Sequence, residues 1–145
     1  MINNQANKPC VYLVEDDQDD QYMFKMIVKE LDIDVELHIF DNCLAVYEAL
    51  MSQLNIQEAD QRKMLPDLLL LDMNLPIWDG KKTLRRIKNQ EDLKVVPVVI
   101  YTTSKSDHDK QECYALGANS FISKEAEYDQ LNLQIERIFN YWFKT

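Results

Sequence analysis

The sequence has few of the residues from which linkers are built, with only two glycines and four prolines among 145 residues. Flexible connections between domains are usually rich in glycine, serine or proline, so the chain leaves little room for one. Its length suits one domain, and hydrophobic residues make up 46% of it, which is enough for a packed core. We therefore expect a single domain over 1–145, with no output domain attached.

Positive charge is also scarce. The chain carries 16 Lys and Arg against 25 Asp and Glu, for a formal net charge of -9. A protein that binds a nucleic-acid backbone needs clustered Lys and Arg, and no basic patch offsets the acidic excess here. The composition argues against nucleic acid as a partner.

The three cysteines, Cys10, Cys43 and Cys113, are odd in number and widely spaced. They form no metal motif and no obvious disulfide framework, which favours a reducing compartment. Residues 1–8 are polar and lack the apolar core of a signal peptide, and no stretch is long and apolar enough to cross a bilayer. We expect a cytoplasmic protein with no membrane partner.

Five short apolar runs alternate with five helix-like segments. Leu68 to Leu71 are four consecutive leucines with no polar face, which is typical of a strand buried on both sides of a parallel sheet. The alternation predicts an α/β domain with right-handed crossovers. The expected strands are 10–14, 35–40, 68–71, 97–101 and 119–123, and the expected helices follow at about 19–31, 42–54, 81–89, 107–116 and 127–143.

Several local features of these helices are also predicted. Asp19 or Asp20 is expected to cap the first helix, and Gly117 to close the fourth. The polar stretch 55–63 is interpreted as a surface extension. The inner stripe of the second helix is predicted to consist of Leu44, Tyr47, Met51 and Leu54.

Polar residues follow directly after four of the predicted strands. In a parallel sheet the carboxyl ends lie along one edge, where α/β proteins bind ligands. Each residue alone has an ordinary interpretation: Asp72 as a turn or cap, the other acids as a solvated turn, and the lysine as a surface residue. Because all of them follow directly after apolar strands, we interpret this edge as a functional site. The polar residues concerned are Glu15, Asp16, Asp17, Asp72, Thr102 and Lys124.

The chemistry of this edge suits phosphoryl transfer. Clustered carboxylates raise one another's pKa unless a cation neutralises them. Oxygen ligands without His or Cys suit Mg²⁺. A lysine opposite an aspartate can offset the negative charge of a phosphoryl group, and a hydroxyl can donate a hydrogen bond to one of its oxygens. The aspartate is then the nucleophile.

Four motifs together resemble the receiver domains of two-component response regulators. The polar insertion before the third strand and the aromatic C-terminus are similar to those of the stand-alone, phytochrome-associated type. The resemblance implies a flavodoxin-like (βα)5 doubly wound parallel sheet with strand order 2-1-3-4-5. The motifs are Leu-Val-Glu-Asp-Asp at 13–17, Leu-Leu-Asp-Met-Asn-Leu-Pro-Ile-Trp-Asp-Gly at 70–80, Ile-Tyr-Thr-Thr-Ser at 100–104 and Gly-Ala-Asn-Ser-Phe-Ile-Ser-Lys at 117–124.

The same resemblance implies a role for each site residue. Asp72 is the phosphoacceptor, Thr102 the switch hydroxyl, Phe121 the switch aromatic and Lys124 the phosphate-binding lysine. The Mg²⁺ ligands implied are Asp16, Asp72, the backbone carbonyl of Asn74, and Glu15 acting through water.

The function implied is a signalling receiver that is not a turnover enzyme. Its phosphoryl donor is a histidine kinase or a histidine phosphotransfer protein, and its output is a downstream protein contact, a phosphorelay or a homodimer. Two alternatives remain open. One is a pseudo-receiver that is never phosphorylated. The other is a haloacid-dehalogenase-like phosphatase, whose second aspartate is replaced here by Asn74 and whose nucleophile usually follows the first strand.

Two features of the C-terminal part need a structural answer. Receivers usually have proline in a cis peptide after the lysine, whereas Glu125 stands here, so a trans or rearranged loop is expected.

In the last helix, Phe139 and Trp142 belong to the predicted buried stripe. Tyr141 and Phe143 are then candidates for an exposed apolar patch, unless they cover the sheet edge.

Overall fold

The computed structural model describes residues 8–55 and 65–143 of the chain. The predicted surface extension at 55–63 lies, from residue 56 onward, outside the described residues. Within the described residues, no helix is long and apolar enough to cross a membrane.

Five parallel strands form one sheet in the order β2-β1-β3-β4-β5, as predicted. Because every pair is parallel, all five carboxyl ends lie along the same edge. The element bounds differ from the predicted ones by a residue or so. They are β1 Cys10–Val14, α1 Gln18–Glu30, β2 Glu36–Phe40, α2 Cys43–Leu54, β3 Leu68–Leu71, α3 Gly80–Asn89, β4 Val98–Thr102, α4 Asp107–Ala115, β5 Ser120–Ser123 and α5 Tyr128–Phe143.

The central strand β3 is buried on both of its faces. Leu69 and Leu71 belong to the hydrophobic cluster that includes residues of α2 and α3, and Leu68 and Leu70 to the cluster that includes residues of α1 and α5. All four leucines are fully buried. Each one contributes about 2 kcal/mol by leaving water. This core holds the strand that ends next to Asp72.

The first helix begins earlier than predicted. Asp17 is its N-cap, and its side-chain oxygen accepts a hydrogen bond of 3.0 Å from the backbone N–H of Asp20. The expectation of Asp19 or Asp20 as the cap is therefore wrong. The cause is the short connection from β1, which makes Asp17 the last extended residue before the helix.

The predicted inner stripe of α2 is displaced. The fully buried positions are Cys43, Val46 and Leu50, whereas Leu44 is only partly buried. Apolar residues surround much of this helix, so its sequence pattern leaves the inward direction ambiguous by one position, or about 100°. The other predicted members of the stripe pack as partly buried residues against the cluster; they are Tyr47, Met51 and Leu54.

Gly117 closes the fourth helix, as predicted. Its φ of 105° lies in the left-handed region, which glycine adopts without strain. The Gly117 N–H donates a hydrogen bond of 3.0 Å to the Tyr114 carbonyl. The chain thereby turns out of α4 and enters β5, which ends next to Lys124.

The last helix has one strongly exposed aromatic residue rather than two. Tyr141 is 78% exposed, as expected. Phe143, the other candidate for exposure, is partly buried and stacks on Phe139 with ring centroids 5.9 Å apart. The two phenylalanines are four residues apart and therefore lie on the same side of the helix, which brings Phe143 back against the buried ring.

Gly80 joins the central strand to the following helix at very close range. A Cβ atom there would lie 2.3 Å from the carbonyl oxygen of Asp72 and 2.7 Å from the Cα of Met73. The Gly80 N–H donates a hydrogen bond of 2.9 Å to the Met73 carbonyl. Only glycine lets α3 begin against the backbone of Asp72 in this way.

Candidate functional site

A lysine from the end of β5 reaches two carboxylates at the ends of β1 and β3. The Nζ atom of Lys124 lies 2.5 Å from Oε1 of Glu15 and 3.2 Å from Oδ2 of Asp72. The side chains are mostly enclosed, with exposed fractions of 13% for Lys124, 5% for Glu15 and 13% for Asp72. The structure thus brings together predicted site residues from three separate strands.

Burial and pairing act on these charges in opposite directions. Burial raises the pKa of Glu15, and the hydrogen bond from Lys124 only partly offsets that rise. Burial alone would lower the pKa of Lys124, but Asp72 and Glu15 together raise it above its ordinary value. The lysine is therefore a charged ammonium group that offsets the acids of the pocket.

The remaining acidic and backbone groups form the open side of the site. Asp16 and Asn74 are both exposed. The Asn74 N–H donates to Oδ1 of Asp72 over 3.2 Å, so Asp72 offers one oxygen to the backbone and the other to Lys124. These two contacts fix the orientation of the Asp72 carboxylate.

The donors at this edge fit a hard divalent cation. Glu15 and Asp72 already converge on one positive group, the Lys124 ammonium, and the predicted ligands offer oxygen only. The exposed carboxylate of Asp16 follows Glu15 immediately in sequence. A cation bound beside the lysine would therefore meet the ligand type that Mg²⁺ prefers.

A different cluster has its donor atoms closer together. In residues 8–55 and 65–143, the only three His, Cys, Asp or Glu donor atoms within 4.8 Å of one another come from Cys10, Glu36 and His38. This cluster lies near the amino ends of β1 and β2, opposite the predicted site. Burial raises the pKa of Cys10 to about 11, so its thiol is protonated and a poor metal ligand.

The two predicted switch residues lie on one side of the sheet. Thr102 is fully buried, and its Oγ1 accepts a hydrogen bond of 3.3 Å from the Ser104 N–H. Phe121 is partly buried and pairs in register with Ile100, two residues before Thr102. Since alternate residues of a strand share a face, Phe121 lies diagonally across from Thr102.

A polar network beside this edge was not found from the sequence. The Ser104 hydroxyl donates to Oδ2 of Asp109 over 2.8 Å, and Lys81 donates to Asp109 and Glu112 over 3.0 and 2.6 Å. Lys81 and Ser104 together hold the pKa of Asp109 below its ordinary value. The network ties the start of α3 to α4. The only local sequence signal for this network is the position of Lys81, directly after the Asp79-Gly80 pair.

Comparisons with known proteins agree with this geometry. The family described as the response regulator receiver domain matches residues 11–136. The response regulator Rcp1 of Synechocystis sp. is 33% identical over 145 residues, which cover 99% of this chain and 96% of that protein.

Two solved structures are similar over nearly the whole chain. The phosphorylated cyanobacterial phytochrome response regulator RcpA has a TM-score of 0.81 and 29% identity, covering 94% of this chain and 95% of that one. The Mn(2+)-bound form of Rcp1 has a TM-score of 0.78 and 35% identity, covering 94% and 96%.

Proposed function

This chain belongs to the response regulator receiver domain family, and we propose that it accepts a phosphoryl group on Asp72 from a histidine kinase or a histidine phosphotransfer protein. The observation that carries the proposal is the contact of Lys124 with both Glu15 and Asp72. It joins a nucleophile, a compensating cation and a second carboxylate at the carboxyl edge of the sheet, where ligands of such folds bind.

The transfer step can be written from these groups. A carboxylate oxygen of Asp72 attacks the phosphorus of a phosphohistidine, a P–O bond forms, and the P–N bond breaks with its electron pair returning to the imidazole nitrogen. The Lys124 ammonium offsets charge on the transferring oxygens. The Thr102 hydroxyl, which accepts from the Ser104 N–H, can turn to donate to one of those oxygens.

A divalent cation belongs to the same proposal. Asp16, Asp72 and the Asn74 carbonyl would hold Mg²⁺, with Glu15 acting through water. When bound, the ion supplies positive charge to the phosphoryl oxygens. The oxygen-only donor set supports this assignment, as does the Mn(2+)-bound structure of Rcp1.

We place the output of the phosphorylated form in protein contacts made in the cytoplasm. The contacting protein is a downstream target, a phosphorelay partner or a second copy of this chain. We expect Thr102 and Phe121 to carry the response from Asp72 to the side of the sheet on which α4 packs, because Phe121 packs against the cluster that includes Cys113 of α4. Near the end of α5, Tyr141 offers an exposed aromatic ring to a partner, whereas Phe143 packs on Phe139.

Separate observations weigh against each of the two alternative functions. The pseudo-receiver hypothesis rested on Glu125, yet Lys124 reaches Glu15 and Asp72 with Glu125 in place. The dehalogenase-like phosphatase needs an acid/base aspartate where Asn74 stands, and its nucleophile follows the first strand rather than the third.

Replacing Asp72 with asparagine is expected to abolish phosphorylation without unfolding the protein, because the amide keeps the shape of the carboxylate but is not a nucleophile. The measurement is intact-protein mass spectrometry after incubation with Mg²⁺ and either acetyl phosphate or a phosphorylated histidine phosphotransfer protein. Asp92→Asn, at an exposed loop position, serves as the matched control and should be modified like wild type. Modification of Asp72→Asn at the wild-type rate would disprove the assignment.

Replacing Thr102 with alanine is expected to preserve phosphorylation and to weaken the structural response. In the proposed switch, the Thr102 hydroxyl rotates toward the phosphoryl group and leaves space that Phe121 fills. Alanine has no hydroxyl, so this movement is lost. The measurement is the set of backbone amide shifts in β4 and β5, by NMR, with and without phosphorylation. Thr103→Ala, at an exposed neighbouring position, is the control. Wild-type shifts in phosphorylated Thr102→Ala would exclude this switch.

A further inference from the structure

The loop after Lys124 lacks the proline that usually holds it. Glu125 stands in that place, and all peptide bonds among the described residues are trans. Glu125, Ala126 and Glu127 are exposed, so this loop gains little from packing. The lysine nevertheless has a definite position against Glu15 and Asp72. A group other than proline must therefore hold the backbone beside it.

The side-chain amide of Gln134, on α5, makes the necessary contacts. Its Nε2 donates to the carbonyl of Ser123 over 2.7 Å, and its Oε1 accepts from the Glu125 N–H over 3.1 Å. One amide therefore binds the residue before Lys124 and the residue after it. The Lys124 N–H itself donates to the Thr102 carbonyl over 2.7 Å, which anchors the lysine to β4.

Tyr101 determines which way the amide of Gln134 faces. Burial raises the pKa of Tyr101, so its hydroxyl stays protonated and donates to Oε1 of Gln134 over 3.0 Å. Two donors meet one end of the amide and a carbonyl meets the other, which admits a single orientation. The Tyr101 ring also lies 5.4 Å from the Nζ atom of Lys124, so the same tyrosine contacts the lysine and its tether.

We propose that Gln134 is a positioning residue for phosphoryl transfer, which holds the backbone on both sides of Lys124 so that its ammonium group meets the phosphoryl group on Asp72. This inference rests on the proposed function. In this chain the amide of Gln134 supplies the restraint that a proline at position 125 would otherwise supply. A small displacement of a catalytic group is costly, since a shift on the order of 1 Å can slow a reaction by about a hundredfold.

The test compares single-turnover phosphorylation of the full chain by acetyl phosphate at saturating Mg²⁺. Gln134→Leu should slow phosphorylation by about tenfold or more even at saturating Mg²⁺, where a change in Mg²⁺ affinity cannot account for the loss. Gln134→Glu has the same shape but places an oxygen against the Ser123 carbonyl, and it should be slow as well. Gln130→Leu, one turn earlier on α5 and exposed, is the matched control and should behave like wild type.

A rescue variant separates positioning from general stability. Proline has no N–H and a fixed φ, so Glu125→Pro removes the group that Gln134 binds and stiffens the loop by itself. Added to Gln134→Leu, it should restore most of the wild-type rate. The inference is overturned if Gln134→Leu reacts within about twofold of wild type, or if it is slow and the double variant remains slow, since packing of α5 would then explain the loss. A wild-type protein that takes up no phosphoryl group from either acetyl phosphate or a phosphorylated histidine phosphotransfer protein would instead refute the proposed function.

Discussion

Replacement of Gly80 by alanine is expected to destabilise the protein by about 3 kcal/mol and to abolish phosphorylation of Asp72. The added Cβ would lie 2.3 Å from the Asp72 carbonyl oxygen, and it meets backbone atoms that cannot rotate away as a side chain could. Either α3 moves outward or the end of β3 moves, and each movement displaces Asp72. The measurements are urea unfolding and phosphorylation by acetyl phosphate.

The control for this variant is an alanine elsewhere on the same helix. Arg85→Ala changes an exposed position of α3 and should alter stability by less than about 0.5 kcal/mol, with phosphorylation retained. A Gly80→Ala protein that unfolds at the wild-type urea concentration would show that the close approach of α3 to Asp72 is not required.

Replacement of Lys124 by methionine is the second change with a large expected effect. It leaves the buried carboxylate of Glu15 without its cation, and removing one partner of such a pair costs about 3 kcal/mol at pH 7. It should also slow phosphorylation by about a hundredfold, because the positive charge near the transferring oxygens is lost. Mg²⁺ should bind the variant more tightly than wild type, since the carboxylates then lack a competing cation.

The destabilisation of Lys124→Met should shrink as the pH falls. Burial already raises the pKa of Glu15 in the folded protein, and Lys124 partly offsets that rise, so the variant has a still higher folded pKa. A group with a raised folded pKa contributes stability below its unfolded pKa of about 4.3 and loses it as the pH rises through the folded value. Urea unfolding of both proteins at about pH 7 and at about pH 5 measures the difference.

The control for the lysine variant is Lys94→Met, which removes one partner of an exposed ion pair with Glu91. Exposed pairs of this kind contribute little, so its stability should change by less than about 1 kcal/mol and should not depend on pH in the same way. If Lys124→Met were as stable as wild type at neutral pH, the negative charge of the buried Glu15 carboxylate would not depend on Lys124 for its compensation.

The positions of the main site residues could be predicted because the signal for each is local. The leucine run of β3 and the apolar residues of β1, β4 and β5 each identify a strand, and parallel order brings their carboxyl ends to one edge. The residues that follow those strands, including Asp72 and Lys124, then had to lie near one another. The structure adds the contact itself, in which Lys124 bonds Glu15 as well as Asp72.

Features that depend on how helices sit against the sheet were predicted less well. The cap at Asp17 depends on where the chain leaves β1, and the inward direction of α2 is ambiguous because its apolar residues surround much of the helix. Phe143 looked exposed from helical angles alone, yet a stacking partner four residues earlier draws it inward. In each case the sequence pattern is compatible with two neighbouring arrangements, and packing selects one.

The sequence by itself determined the order of strands and helices, the buried central strand and the chemical types that meet at its carboxyl edge. Tertiary structure alone decided how Lys124 is held, because the tether is Gln134, nine residues beyond Glu125 and on a different element. It likewise decided that Lys81 and Ser104 share Asp109. Periodicity records which side of an element is buried, whereas a hydrogen bond between distant residues depends on the distance and angle at which packed elements meet.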